Sequence, residues 1–329
     1  MADKVTITDV ARAAGVSRQT VSNTLNSPEV VREETRRHVL DVIARLGYRA
    51  NQAARQMRTG RSRLIAIRID PGGDGINGSV LDRFLHGLTE SAARAGYRIL
   101  LYTAHDDRSE IATFEDLIAS YEPDAFVLTA THHDDLRTSW LLERRVPFVA
   151  FGRPWSDLRD HVARHPWVDV DGAAGTEAAT RRLLAAGHRR VGFIGWPPGS
   201  GVGDDRRAGW ERTLAEHGLR PDGLHRAGED GVATGESAAL DLLDAGATAL
   251  VCASDSLALG ALNVAGPGVA VTGFDDTPVA GAVGLTSVHQ PLGDAAAACV
   301  ALLTRALDSA APPATHVLLP PSLTVRRSA

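Results

Sequence analysis

Residues Ile7 to Asn26 read ITDVARAAGVSRQTVSNTLN, a spacing that predicts two short helices crossing at a tight turn. Ala11 is small enough for close approach, Gly15 can take the left-handed turn conformation, and Val21 offers a branched apolar side chain to seal the interface. Thr6 and Ser17 stand where a hydroxyl caps the start of each helix. Val16, Val21 and Leu25 would point inward, leaving Arg18, Gln19, Ser22, Asn23 and Asn26 on the outer side. A polar helix face of this kind is suited to the base edges of the DNA major groove. A third helix is predicted from about Arg32 to Leu46, because Val39, Val42, Ile43 and Leu46 keep the spacing of one buried face, with Gly47 ending it.

A helical bundle built for protein contacts could share these spacings, and charge bears on the choice. The net charge of the 329-residue chain is −5, yet residues 1–63 hold 12 Lys and Arg against 6 Asp and Glu, leaving a head of +6 and a body of −11. A basic head on an acidic globule fits association with phosphate, which counterion release drives. With 44% apolar residues the chain can bury two or three domain cores. Cys252 and Cys299 lie in Ala-rich apolar stretches, which suits reduced buried thiols rather than a disulfide framework. No apolar run approaches the roughly 20 residues of a membrane span, and the start lacks the layout of a secretory signal. The expectation is a cytoplasmic protein without a membrane partner.

From Arg63 onward, apolar runs alternate with amphipathic stretches: LIAIRI, 76–95, YRILLYT, 108–121, AFVLTA, 134–145 and PFVAF. A second series restarts at Trp167 with WVDV and continues through 172–186, RVGFIG, 204–217, 234–245, ALVCA, 255–264 and VAVTGF, before a return through Thr286 to Pro291. Such alternation implies parallel sheets covered by helices, and the restart implies two similar lobes with a cleft between them. The fold class is α/β behind a helical head. In open α/β sheets ligands bind beyond the carboxyl ends of strands, so Asp70, Asn77, Thr131, Gly152 and Arg153 are candidates by position. Trp155 and Trp196 also follow strands and could stack on a sugar face or pack in the core.

Taken together, VTITDVARAAGVSRQTVSNTLN, VREETRRHVLDVIARLGYRAN and QAARQMRTGRS resemble the lactose-repressor (LacI/GalR) family, and the resemblance continues along essentially the whole chain. It implies a three-helix DNA-binding domain over residues 1–50, a hinge helix and linker over 51–61, and a two-lobed periplasmic-binding-protein-like sensor over 62–329. Lobe one would take about 62–162 plus 290–329, and lobe two about 163–289. The implied function is a ligand-responsive transcriptional regulator, most often a repressor, gripping an inverted-repeat DNA operator as a homodimer under control of a sugar or sugar-like effector. No cofactor or metal is implied.

By match to that family, Arg18, Gln19 and Asn23 take base-reading positions. Thr6, Ser17, Thr20, Ser22, Asn26, Thr35, Tyr48 and Asn51 match positions of backbone contact or support. In the hinge, Ala54 matches the small residue facing the minor groove, and Met57 the apolar wedge between central base pairs, where leucine is usual. Arg55 adds phosphate-directed charge there. In the sensor, Arg206 of DDRRAGW matches the cationic donor to ligand oxygens, Ser254 of ASDS and Asp275 of GFDD match hydrogen-bonding positions, and Gln290 marks a crossover between lobes. Asp255 would cap the helix after Ser254. Ser254 replaces a common asparagine, NVAGPGVAVTGFDD is shorter than the usual connection, and Arg32 replaces a frequent capping serine.

Two rival chemistries compete. Gly73, Gly75 and Gly78 form GxGxxG after LIAIRID, the outline of a dinucleotide site in an NAD-dependent oxidoreductase, but no convincing acidic residue follows at the customary distance and no acid/base pair follows. A flexible glycine loop lining the cleft accounts for these residues. His132, His133, Asp134 and Asp135 could be a metal site or a polar loop, and adjacent histidines rarely converge on one ion. There is no GxSxG, HExxH or CxxC pattern. A DNA-binding activator or global regulator is the third alternative.

Overall fold

The computed structural model describes residues 5–48, 56, 60–69, 76, 78–155, 165–308 and 316–329. It divides into two units, Met1–Ser62 and Arg63–Ala329.

In the first unit, α1 (Ile7–Ala14) and α2 (Arg18–Asn26) precede a 3₁₀ turn at Pro28–Val30 and α3 (Glu33–Leu46). Thr6 caps α1 in a reciprocal box with Asp9, and Ser17 caps α2 by accepting from the Thr20 amide. Gly15 adopts φ 66° at the end of α1, and Gly47 ends α3 at φ 63°, both left-handed conformations that glycine takes without steric cost. Val10, Ala11, Ala14, Val21, Val39 and Val42 form the core, with Val16, Leu25, Ile43 and Leu46 packed against it. The predicted start at Arg32 holds as the N-cap position, though its side chain makes no capping bond.

The second unit opens with β1 (Leu64–Arg68), α4 (Gly78–Arg94), β2 (Arg98–Tyr102), α5 (Asp107–Ser120), β3 (Ala125–Leu128), α6 (Leu136–Glu143), β4 (Phe148–Phe151) and β5 (Trp167–Val170). It continues with α7 (Gly172–Ala185), β6 (Val191–Gly195), α8 (Val202–Glu216), β7 (His225–Ala227), α9 (Val232–Asp244), β8 (Ala249–Cys252) and α10 (Asp255–Val264). Then come β9 (Ala270–Asp275), α11 (Pro278–Val283), β10 (Thr286–His289), α12 (Leu292–Asp308), β11 (His316–Leu319) and β12 (Ser322–Thr324). Two six-stranded sheets result, ordered β11-β5-β4-β3-β1-β2 and β12-β10-β9-β8-β6-β7. Every pairing is parallel except β10 with β12. Parallel strands covered on both faces are largely apolar, and β3, β5, β6 and β8 are buried at every residue, Asp169 of β5 being the one charged side chain among them.

The lobe boundaries differ from the sequence expectation in two places. WVDV does not open the second lobe: Trp167 and Val168 pair with Ala150 and Phe151, so β5 belongs to the first sheet and the chain crosses at Asp171. Residues 320–329 do not stay in the first lobe, because Leu323 and Thr324 pair with Val288 and Ser287 in the second sheet. A four-residue apolar run has the same pattern in either sheet, so periodicity could not choose. The chain thus passes between lobes three times, the second passage being at Gln290 and Pro291, between β10 and α12.

Cys252 and Cys299 are free, fully buried and in separate cores, and burial pushes both thiols well above their ordinary range. Among the described residues no helix is long and apolar enough to cross a membrane. Gly73 and Gly75 lie outside the described residues, and Gly78 begins α4.

Candidate functional site

On α2, Arg18, Gln19 and Asn26 are exposed, and Ser22 and Asn23 are partly so. The Gln19 amide donates to Asn23 Oδ1 at 2.8 Å, and Asn26 donates to the Ser22 carbonyl at 2.6 Å. Ser17 and Thr20 share a hydroxyl contact of 2.9 Å at the helix start. Thr6 is committed to Asp9, its hydroxyl donating at 2.7 Å. Thr35 is partly exposed on α3, and Tyr48 packs against the helical core. Buried Thr24, which the sequence reading did not single out, donates its hydroxyl back to the Thr20 carbonyl. Asn51, Ala54, Arg55 and Met57 lie outside the described residues.

In the second unit, the carboxyl ends of both sheets wall a cavity of about 350 Å³. Thr131, Gly152, Trp155, Trp196, Arg206 and Gln290 line it, as do Phe84, Phe151, Asp169 and Asp205. These last four were missed. Asp205 and Arg206 are neighbours in DDRRAGW, but nothing in the spacing distinguished a lining aspartate from a helix-start acid. Asp70 and Asn77 lie outside the described residues.

Arg206, at the first turns of α8, is 5% exposed. It donates to the Ala253 carbonyl, its guanidinium carbon stands 3.6 Å from the Phe274 ring centroid and 5.1 Å from that of Trp196, and Asp275 Oδ1 is 3.7 Å away. Burial holds Arg206 below its ordinary range and pushes Asp275 up to about 7, since a contact of 3.7 Å only partly offsets the lost hydration of each. Gln290 donates to Asp275 Oδ1 at 2.6 Å. Asp275 and Ser254 therefore stand behind the lining: Ser254 is fully buried, donates to Asp230 at 2.5 Å and itself caps α10. The expected cap, Asp255, instead accepts from Ser287 and from the Thr277 hydroxyl and amide. Arg206 Nε, Trp155 Nε1 and Trp196 Nε1 are buried donors with no partner among the described residues. Such donors are costly unless something completes them.

Arg153 also sits behind the lining. It donates to Asp169 at 2.7 Å within the first lobe and to Asp205 at 3.2 Å in the second. Burial opposes its charge, yet the Asp169 bond and charge raise it above its ordinary range; burial pushes both carboxylates up. Gly152, at φ 123°, lets the chain turn beside Thr131, whose Oγ1 a Cβ would meet at 2.2 Å.

The metal reading meets an occupied cluster. Asp107, His132 and Asp135 converge, but Arg137 lies 3.4 Å from Asp107 and 2.6 Å from Asp135, whereas His133 and Asp134 are exposed. The carboxylates are already neutralised by a guanidinium.

A helix-turn-helix unit with a polar second helix, followed by two parallel sheets around a cavity, defines a ligand-sensing transcriptional regulator. Residues 6–51 match the family of bacterial regulatory proteins, lacI family, and residues 180–329 match the periplasmic binding protein-like domain. The chain is 34% identical to the HTH-type transcriptional regulator AglR of Rhizobium meliloti, over 79% of this chain and 72% of that one. It is 32% identical to the regulator CelR of Thermobifida fusca over 87% of each. The solved CelR–cellobiose complex superposes with a TM-score of 0.73 at 28% identity, covering 99% of this chain and all of that one. The chain belongs to the LacI family of transcriptional regulators. These relatives are regulators rather than enzymes, and none supports the oxidoreductase alternative.

Proposed function

We propose that this regulator is a repressor acting in the cytoplasm as a homodimer on an inverted-repeat operator, with a neutral sugar as its effector and no catalytic activity. Arg18, Gln19 and Asn23 would read bases, while Thr6, Ser17, Thr20, Ser22, Asn26, Thr35 and Tyr48 would set the module on the backbone. Asn51, Ala54, Arg55 and Met57 would carry the minor-groove contacts of the hinge.

The observation that carries the effector reading is the cavity itself, where unpartnered Arg206 Nε and two tryptophans meet paired carboxylates. Sugar hydroxyls can both donate and accept, and sugar faces stack on indoles. The charge of Arg153 is already spent on Asp169 and Asp205, which favours an uncharged ligand over a phosphorylated one. The likeness to a regulator solved with cellobiose supports the same class. Occupancy would act on the heads through residues 51–61, and linkage requires that DNA alter sugar affinity by the factor with which sugar alters DNA affinity.

Fluorescence anisotropy of labelled operator, selected from a random duplex library and titrated with cellobiose, maltose and raffinose, tests this. A sugar-dependent change in operator affinity is expected. Failure to select any inverted repeat would overturn the DNA reading, and indifference to all three sugars alongside a response to a sugar phosphate would overturn the neutral-effector reading.

A further inference from the structure

Arg83 lies on α4 of the first lobe, one residue before the cavity-lining Phe84. It reaches the second lobe: Nη2 donates to the Asp275 carbonyl, and Nη1 to the Asp276 carbonyl at 3.3 Å. Among the described residues no carboxylate pairs with it, and its buried Nε has no partner. A guanidinium is thus spent on two consecutive main-chain carbonyls across a cleft.

Those two residues have unusual backbones. Asp275 has φ 107° and Asp276 φ 47°, in the region side chains with a Cβ rarely adopt. Such a bend persists only where its surroundings hold it. The second lobe holds Asp276: Ser287 Oγ accepts its amide at 3.0 Å, while its carboxylate takes Arg326 at 2.7 Å, Thr324 at 3.2 Å and His289 at 3.1 Å. The residue before it, Asp275, stands directly behind the effector cavity, its carboxylate accepting from Gln290 at 2.6 Å and lying 3.7 Å from Arg206, both of which line the cavity. Among the described residues, the first lobe's hydrogen-bonding grip on this bend is Arg83.

We propose that Arg83 is a positioning residue for the effector site, clamping the Asp275–Asp276 bend from the opposite lobe so that the Asp275 carboxylate is aimed at Arg206 and Gln290. It rests on the effector reading above only for what the site binds. Because α4 also supplies Val80, Leu81 and Phe84 to the cavity wall, a ligand that displaces this helix moves the clamp with it. Effector contact on one lobe and carboxylate placement on the other become one event, with no contact between ligand and Arg83 needed.

The test uses the full-length protein with 13C-carboxyl aspartate, the Asp275 resonance being assigned by its loss in Asp275→Asn. In the ligand-free protein, Arg83→Met should shift that resonance, and Arg83→Lys, which keeps the charge but lacks the fork, should shift it less. Cellobiose affinity measured by calorimetry should fall about tenfold or more in Arg83→Met and be partly restored in Arg83→Lys. An unchanged Asp275 resonance in Arg83→Met overturns the proposal, even if affinity or thermal stability falls, because a mere brace would do that. Should Arg83→Met not fold, the Arg83→Lys resonance decides in the same way. Should the wild type ignore cellobiose, the sugar reading fails while the resonance still decides the clamp.

Discussion

Gln19 and Asn23 are joined by a 2.8 Å hydrogen bond between their side-chain amides, one turn apart on the outer side of α2. The bond leaves the Gln19 carbonyl and the Asn23 amide group to face a base pair together, so the two residues should act as a unit. Replacing either by alanine should cost about 1–3 kcal/mol of discrimination at one base-pair position. The double replacement should cost less than the sum of the two, as expected of groups in one network. Binding to a randomised operator library measures both, and additive losses would show that the pair is not a unit.

Asp275 makes folding stability depend on pH. Its folded value is near 7, against an ordinary 3.8, because burial disfavours its charge. The folded state therefore holds the proton more tightly than the unfolded chain. The resulting contribution is complete below about pH 4, erodes as pH rises towards 7 and is lost above it, by at most about 1.4 kcal/mol per pH unit. Asp275→Asn removes this titration, so its stability relative to wild type should rise between pH 5 and pH 8. Urea unfolding at the two values gives the comparison, and parallel stabilities would refute the assignment.

Arg153 is held by a carboxylate from each lobe. Asp169→Asn and Asp205→Asn together should free its charge beside the cavity and let the site bind inorganic phosphate, which the wild type should not do. Thermal shift against phosphate, with sodium chloride at matched ionic strength, reads this directly. No phosphate-specific stabilisation of the double variant would count against the view that these carboxylates exclude anions.

Glu110 is fully buried and accepts from Arg68 at 2.6 Å, Arg137 at 2.9 Å and the Tyr102 hydroxyl at 2.9 Å. Burial and the Glu110 charge together drive the Tyr102 hydroxyl far above its ordinary range. Glu110→Ala would remove the buried acceptor shared by Arg68, Arg137 and Tyr102 and leave a gap, at roughly 3–5 kcal/mol, whereas Glu110→Gln keeps an acceptor oxygen there and should cost less. Denaturant midpoints measure both, and equal losses would show that the cluster needs the carboxylate charge, which both variants remove, rather than the acceptor geometry that Gln keeps.

Local signals carried most of the reading. Thr6, Gly15, Ser17 and Gly47 announce the ends of helices through bonds made within a few residues, which sequence records directly. The cavity was half legible for a related reason: Thr131, Gly152, Trp155 and Trp196 follow strands, and a parallel sheet exposes its strand ends. Asp169 and Asp205 were invisible because their role depends on Arg153, 16 and 52 residues away along the chain. Arg83 was equally silent, for its partners are main-chain carbonyls that any residue would offer. The sheet membership of WVDV fell to the same limit.

Since the chain passes between lobes at Asp171, at Gln290 and Pro291, and again before Ser322, neither lobe is a continuous stretch of polypeptide. A gene fragment ending between Pro291 and His316 encodes a first sheet without β11 and a second without β12 rather than one finished lobe. The short antiparallel strand Ser322–Thr324 borders β10, so the second sheet is completed only after the first has received β11. Neither lobe can therefore finish before the chain has been made through both, and a fragment that stops short of His316 leaves each sheet missing at least an edge strand.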